Sequence, residues 1–167
     1  MTTDPAAAAA AAAEVESWIP HRPPFRYVDR VLAADASQLS AEVTVRTDEP
    51  WCSGHYPGNP IMPGVLILEC IFQAGAIFLS QRLHAMRNVP AEQFAADAAA
   101  APAPGVPVLT RIGAAKFRKA VKPGDVIQLD VRLDDHAANA FRLSGSASVD
   151  GKKAVTVEFT CALVDGI

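Results

Sequence analysis

Two hydrophobic patterns divide the chain into a helical centre and strand-forming flanks. Residues 65–86 form a largely apolar run of helix length that contains no proline. Apolar side chains occur on every side of its first four turns, which predicts a buried helix rather than an amphipathic surface helix. From Gln38 to Thr47 apolar and polar residues alternate with period two. That alternation predicts a half-buried strand.

Further strands are predicted on both sides of this helix. A run from Phe25 to Leu32 precedes the 38–47 strand, and the two can pair as a hairpin around residues 34–37. Asp150-Gly151, between two strand patterns, is a specific hairpin signal. One buried helix with antiparallel strands on both sides indicates an α+β domain in which a sheet covers a single helix. The later strand patterns, with a KPGD turn at 122–125, are 108–121, 126–133, 140–149 and 154–164.

The remaining segments set the domain boundaries. Residues 1–13 are predicted to be an alanine-rich tail that is disordered or forms a fraying helix, and residues 14–19 a short helix that ends at Pro20. Residues 14–167 then form a single domain. Within it, residues 88–107 are rich in alanine and proline and are predicted to be a flexible insertion.

Composition excludes several functional classes. The 167 residues carry a net charge of -3, so the chain is not a polycation for nucleic acid. A membrane span over 65–86 is disfavoured because Glu69 and Gln73 interrupt the run. Three cysteines without a CxxC pair support neither a disulfide framework nor a zinc site. A cytoplasmic protein is the resulting expectation.

The candidate chemistry lies at residues 54–64, which read GHYPGNPIMPG, and in the helix that follows. Prolines and glycines restrict the loop around His55, while Gly64 opens the helix where unpaired N–H groups can stabilise a developing negative charge. Glu69 and Gln73 are four residues apart and share a helix face. Together they suggest a base, an oxyanion site and an acid. The alternatives are a structural loop histidine and a glutamate that only satisfies a dimer contact.

Three segments resemble successive signatures of the FabZ-type (3R)-hydroxyacyl-[acyl-carrier-protein] dehydratases. They are WIPHRPPFRYVDRV at 18–31, GHYPGNPIMPGVLILECIFQAG at 54–75 and KFRKAVKPGD at 116–125. The resemblance covers roughly residues 14–165 and implies the hotdog fold, in which a curved antiparallel sheet wraps a long helix. It also implies a homodimer joined edge to edge, with the histidine of one subunit facing the glutamate of its partner. A trimer of such dimers and a heterodimer with a related subunit stay open.

The resemblance also implies a reaction. His55 corresponds to the family's catalytic histidine, Glu69 to its catalytic carboxylate, and Gly64 to the glycine whose N–H binds the thioester carbonyl. We expect His55 to remove the C2 proton of a 3-hydroxyacyl thioester while Glu69, oriented by Gln73, protonates the departing hydroxyl. No metal or cofactor is expected, since the substrate arrives on the phosphopantetheine of an acyl carrier protein.

The expected partner predicts two surfaces. Carrier proteins are acidic, so a local basic cluster is the predicted docking site, with a solvated strand face as the alternative. The acyl tunnel has three apolar candidates, which core packing would equally explain. The basic residues are Arg111, Lys116, Arg118, Lys119 and Lys122, and the tunnel candidates are Ile71, Phe72 and Phe117.

Other functions stay open at this point. A discrete dehydratase of a polyketide or polyene pathway would carry the same catalytic residues, and a thioesterase or enoyl-CoA hydratase would share the fold. Glutamate rather than aspartate at 69 resembles FabZ more than the isomerising FabA. His21, His84 and His136 are isolated in the sequence and receive no predicted role, and neither does Cys52.

Overall fold

The structure, a computed structural model of the chain, describes residues 4–87 and 106–164. It contains two α-helices, one 3₁₀ turn and six strands over these ranges. In chain order they are α1 Pro5–Trp18, β1 Arg30–Ala34, β2 Gln38–Thr44, the 3₁₀ turn Pro50–Ser53, α2 Gly64–Arg87, β3 Val106–Phe117, β4 Val126–Ala137, β5 Ala140–Val149 and β6 Lys152–Val164.

The six strands form one antiparallel sheet that packs against α2. Its strand order is β1-β2-β4-β5-β6-β3, so β3 lies at an edge although it follows the helix directly in sequence. Alternate side chains of each strand face the helix, as in Leu39, Ala41 and Val43 of β2, all buried. This arrangement confirms the predicted α+β hotdog architecture, with one long buried helix and a sheet around it.

Helix α2 is the centre of the core and differs from the prediction by one residue at each end. In the described part of the chain it is the helix whose length and composition would suit a membrane span, over Gly64–Met86. Of its most apolar stretch, 61% is buried inside the subunit. Its apolar surface is therefore used to pack the sheet.

Two hairpins are closed by residues in the left-handed region. Asp150 and Gly151 have φ values of 52° and 71°, as a two-residue type I′ turn requires, which confirms the predicted hairpin. Ala138, between β4 and β5, has φ 52° without a glycine to signal it. The backbone of Asn139 accepts from the N–H of Leu163 at 2.8 Å, and its side chain donates to the carbonyl of Leu163 at 3.0 Å. This second turn is thus tied to strand β6.

Residues 5–13, predicted to be a disordered or fraying helical tail, belong to helix α1. Asp4 caps α1 by accepting a hydrogen bond from the N–H of Ala6 at 3.0 Å, and Pro5 occupies the first turn. Both are favourable starts for an alanine run of high helix propensity. The predicted 14–19 helix is the last turn of α1, which buries Val15 and is followed by the buried Ile19.

Two other boundaries also differ from the sequence prediction. Strand β1 begins at Arg30 and not at Phe25, because the backbone of Phe25 and Tyr27 bonds to a helix side chain instead of a strand. Of the predicted 88–107 insertion, residues 88–105 lie outside the described residues. Residues 106 and 107 already belong to β3.

Glycines let the sheet and the helix approach each other closely. A Cβ on Gly75 of α2 would lie 2.8 Å from the ring of Phe159, and one on Gly145 of β5 would overlap the Cγ2 of Ile71. Ile71 and Phe159 are themselves almost completely buried, so neither can move aside freely. The interlocked layers leave no room for a methyl group at these points.

We expect Gly145→Ala to lower the free energy of unfolding by about 1–3 kcal/mol, because overpacking a closed core forces its neighbours to move. Urea denaturation measures the change. Gly54→Ala is the matched control, since a Cβ there meets nothing within 4 Å and φ is -109°. Equal stability of the two variants would contradict the close packing described for Gly145.

Candidate active site

The backbone of its own loop holds His55 from two sides. The His55 N–H donates to the carbonyl of Trp51 at 2.8 Å, and its ring Nδ1 lies 2.8 Å from the carbonyl oxygen of Ile61. A carbonyl can only accept, so the neutral ring carries its proton on Nδ1. The other ring nitrogen, Nε2, then has a free lone pair and can act as a base.

The rest of this loop is fixed by a tight turn and by contact with the 121–124 region. Tyr56 has φ 56°, uncommon for an aromatic residue, and its ring stands at 88° to that of His55 with centroids 4.8 Å apart. The N–H of Asn59 returns to the carbonyl of Tyr56 at 3.0 Å, and that of Met62 bonds to Val121 at 2.7 Å. The histidine is therefore oriented before any substrate arrives.

Gly64 is the first residue of α2, as predicted. The carbonyl of Pro63 accepts from Leu66 and Ile67, whereas the described hydrogen bonds include no acceptor for the N–H groups of Gly64 and Val65. The ring of Phe117 covers Gly64 closely, since a Cβ there would lie 2.8 Å from its Cε1. A pair of free donors at a helix N-terminus suits an oxygen that becomes negative.

Glu69 is held by Gln73, which confirms the predicted contact between them. The Gln73 Nε2 donates to Glu69 Oε1 at 2.9 Å and to the carbonyl of Phe25 at 2.8 Å. Its amide oxygen accepts from the N–H of Tyr27 at 2.9 Å. Gln73 is only 1% exposed, so these three bonds satisfy a buried amide and fix one oxygen of the carboxyl group.

Sequence reasoning missed His21, which the structure places beside Glu69. The distance from His21 Nε2 to Glu69 Oε1 is 3.7 Å. Burial lowers the pKa of His21; Glu69 partly offsets this, and Arg22 lowers it further. The available signal was its position in the first family-like signature, 34 residues before His55 and 48 residues before Glu69.

His55 and Glu69 make no hydrogen bond or ion pair with each other within the described chain. A groove of about 450 Å³ lies on the outer face of the sheet, and neither residue contributes to it. Within one subunit the base and the carboxyl group are thus each oriented, but no described hydrogen bond or ion pair connects them.

The tunnel candidates occupy three different environments. Ile71 is fully buried against Gly145 and packs in the hydrophobic core of the subunit. Phe72 is partly buried, with its ring centroid 5.0 Å from that of Phe159. Phe117 is 54% exposed over Gly64 and stays the one candidate at the helix N-terminus.

The predicted basic cluster divides in the structure. Lys122 bonds Asn59 of the histidine loop at 3.2 Å, whereas Lys116 and Arg118 line the groove on the outer sheet face. Lys119 faces the β5–β6 turn, 3.6 Å from Asp150. Arg111 lies further along β3, beside another surface groove. The five side chains do not form one patch, because strand alternation and the 118–122 loop separate them.

Two of the three cysteines are buried, and none has an activating partner. Burial, with a smaller contribution from Glu69, raises the pKa of the Cys70 thiol, and burial raises the pKa of Cys161 to about 11. Cys52 lies 3.8 Å from the carbonyl oxygen of Arg46. A buried thiol with a raised pKa is inert at neutral pH.

Comparison with known proteins agrees with this geometry. A family model described as a FabA-like domain matches residues 19–158. The chain is 36% identical over 153 residues to the 3-hydroxyacyl-[acyl-carrier-protein] dehydratase FabZ of Rickettsia massiliae (strain Mtu5), covering 91% of this chain and 94% of that protein. It is 37% identical over 155 residues to the FabZ of Myxococcus xanthus (strain DK1622), with coverages of 91% and 90%.

Solved structures show the same fold at lower identity. A chain of the dehydratase heterocomplex ApeI:P from Xenorhabdus doucetiae aligns with a TM-score of 0.70 and 18% identity, covering 90% of this chain and 91% of that one. A hypothetical thioesterase with coenzyme A from Streptococcus pneumoniae TIGR4 aligns with a TM-score of 0.58 and 11% identity, with coverages of 92% and 94%. These two likenesses concern the fold alone.

We expect Gln73→Met to lower the free energy of unfolding by at least about 2 kcal/mol. The change keeps the apolar volume but leaves the Tyr27 N–H and Phe25 carbonyl without partners. Chemical denaturation measures it. Gln81→Met, on the same helix and without a hydrogen bond among the described contacts, should change stability by less than about 0.5 kcal/mol. Similar losses in both variants would mean that the amide clamp contributes no stability.

Proposed function

This chain belongs to the FabA-like family and is an enzyme of the 3-hydroxyacyl-[acyl-carrier-protein] dehydratase class, a hydro-lyase of fatty-acid elongation, and we propose that His55, Glu69 and Gly64 carry its reaction. The observation that supports this assignment best is the hydrogen bond between His55 Nδ1 and the carbonyl of Ile61, 2.8 Å long. It leaves Nε2 unprotonated in the neutral ring. A dehydratase needs such a base at the carbon next to a thioester carbonyl.

The proposed reaction breaks two bonds and forms one double bond. His55 Nε2 takes the proton from C2, and the N–H groups at the start of α2, at Gly64 and Val65, stabilise the negative charge on the thioester oxygen. Glu69 gives its proton to the C3 hydroxyl, which leaves as water while the C2–C3 double bond forms. Gln73 keeps the Glu69 carboxyl group in the orientation that this proton transfer needs. Transfer of the proton from His55 back to Glu69 through solvent restores the enzyme, and no metal or cofactor takes part.

We propose a homodimer with composite sites, in which His55 of one subunit faces the Glu69 of its partner. Among the described residues no hydrogen bond or ion pair joins these side chains within one chain, and β3 is an edge strand with a described strand on one side only. Its side chains Leu109, Ile112 and Phe117 are 37%, 49% and 54% exposed, unusual for large apolar residues. Pairing of two β3 edges would cover these side chains and satisfy the free backbone groups.

The substrate is proposed to arrive on an acyl carrier protein in the cytoplasm. Lys122 is the best-placed cation for such an acidic partner, because it touches the histidine loop through Asn59. Phe117, above Gly64, is positioned to contact the pantetheine or acyl chain at the helix N-terminus. A role in polyketide or polyene synthesis, or with a related second subunit, would use the same residues and is distinguished by substrate chain length and by subunit composition.

We expect His55→Ala and Glu69→Gln each to lower dehydration at least ~100-fold, since each removes a proton-transfer group. Mass spectrometry of a 3-hydroxyacyl carrier protein, following the loss of one water, provides the measurement. His136→Gln, at an exposed position of strand β4, should retain wild-type activity. Full activity in either site variant would contradict the assigned role of that residue.

Mixing the two inactive variants tests whether sites are composite. A dimer of one His55→Ala subunit and one Glu69→Gln subunit has one site with both changes and one site with neither. Random reassociation should therefore restore roughly a quarter of wild-type activity. Absence of recovery, with mixed dimers verified by mass spectrometry, would place both residues of each site in the same subunit.

We expect Lys122→Glu to raise the KM for an acyl carrier protein substrate by about 10-fold at low salt, because the lost attraction becomes repulsion. The KM for an N-acetylcysteamine thioester, which lacks the carrier protein, should not change. Lys116→Glu is the matched control on the outer sheet face. Equal effects of both variants would indicate a carrier surface that does not depend on the histidine loop.

A further inference from the structure

His21 contacts the same carboxyl oxygen that Gln73 holds. His21 Nε2 lies 3.7 Å from Glu69 Oε1, and Gln73 Nε2 donates to that oxygen at 2.9 Å. No described hydrogen bond involves the second oxygen, Oε2. Two side chains thus flank one oxygen of the carboxyl group, while the second oxygen is available to a ligand.

The ring of His21 packs against Phe25, the residue whose carbonyl also holds Gln73. It stacks on Phe25, with centroids 6.1 Å apart and an interplanar angle of 19°. The carbonyl of Phe25 in turn accepts from Gln73 at 2.8 Å. His21 therefore packs against the same segment that accepts a hydrogen bond from Gln73.

The surroundings of His21 favour its neutral form. Burial lowers its pKa, and Arg22 acts in the same direction, whereas Glu69 acts against both. The imidazolium would also place an N–H on Nδ1, which is buried and has no hydrogen-bond partner among the described residues. The other titratable groups near the pair are Glu16, which is 3.6 Å from Arg22, together with Tyr27 and Cys70 beside Glu69.

We propose that His21 is a positioning residue for Glu69, whose neutral ring confines the carboxyl group and whose protonation would disable it. A separation of 3.7 Å is too long for a hydrogen bond, so the neutral ring leaves the carboxyl group free to carry its proton. A charged ring at that distance forms an ion pair with the carboxylate and opposes its protonation. The inference rests on the proposed role of Glu69 as the acid.

The consequence is a second protonation that stops the enzyme in acid. Since burial lowers the pKa of His21, this loss lies below pH 6.5, the ordinary value for a histidine. Each additional protonation that stops the enzyme makes the acid side of the pH profile steeper. The acid limb of log kcat should therefore be steeper in the wild type than in a variant whose residue 21 cannot titrate.

The test compares His21→Gln, His21→Lys and the control His136→Gln between pH 5 and 9, with folding checked by circular dichroism. His21→Gln cannot titrate, so its kcat at pH 8 should stay within about 3-fold of wild type and its acid slope should be about one unit shallower than the wild-type slope. His21→Lys keeps a charge beside Glu69, so kcat should fall about 10-fold at pH 8 with KM unchanged. A wild-type kcat in His21→Lys, or a wild-type acid slope in His21→Gln, would overturn the proposal.

An activity-independent readout separates this inference from the proposed function. The His21 ring should titrate by NMR below pH 6.5 in the wild type and at still lower pH in Glu69→Gln, where the raising influence of the carboxylate is gone. An unchanged pKa of His21 in Glu69→Gln would mean that the two groups are not coupled. It would overturn this inference and leave the proposed function intact. Full dehydratase activity in Glu69→Gln would instead remove the assigned acid, whatever His21 does.

Discussion

The buried side-chain amide of Gln73 ties the central helix α2 to residues 25–27, the segment that leads into strand β1. Gln73 uses its oxygen and both hydrogens of its nitrogen, on Tyr27, Phe25 and Glu69. In an apolar helix an unpaired amide would cost about 1–3 kcal/mol, so the segment at 25–27 cannot leave without exposing or orphaning these groups. The same side chain therefore locks two elements together and orients the carboxyl group.

The two halves of the site are prepared by different means. His55 is held by backbone groups of a loop stiffened by prolines, and its tautomer is set by a carbonyl that can only accept. Glu69 is held by side chains, in a helix that the sheet surrounds. A loop can present a base with an open nitrogen, whereas a helix places the carboxyl group at a fixed depth from its positively polarised N-terminus.

Much of the fold could be predicted because its strongest signals are local. Helix α2 is a long apolar run, and the last hairpin depends on Asp150-Gly151, which suits two consecutive positive φ values. The start of β1 could not be predicted from residues 25–32, because the partner of that backbone is a side chain 46 residues away. The extent of α1 depends on its cap at Asp4 and on Pro5 in the first turn, because an alanine run alone does not distinguish a fraying helix from a stable one.

The candidate site shows the same difference between contacts with a local sequence signal and contacts without one. Glu69 and Gln73 meet because they are one helical turn apart, and the tautomer of His55 depends on a carbonyl within its own loop. The approach of His21 to Glu69 depends instead on the path of the chain after α1, which no local pattern encodes. The division of the basic cluster likewise has no local signal. Irregularities in the pairing of β3 interrupt the simple alternation of its side chains between the two faces of the sheet.

The separation of His55 from Glu69 within one chain follows from this architecture. The loop lies before the helix N-terminus and close to Val121, while the carboxyl group is turned toward the segment at 21–27 by Gln73. Moving either group toward the other would break the contacts that orient it. A site that needs both groups would therefore require less rearrangement if a second subunit met the apolar edge of β3, which has no partner strand on that side among the described residues.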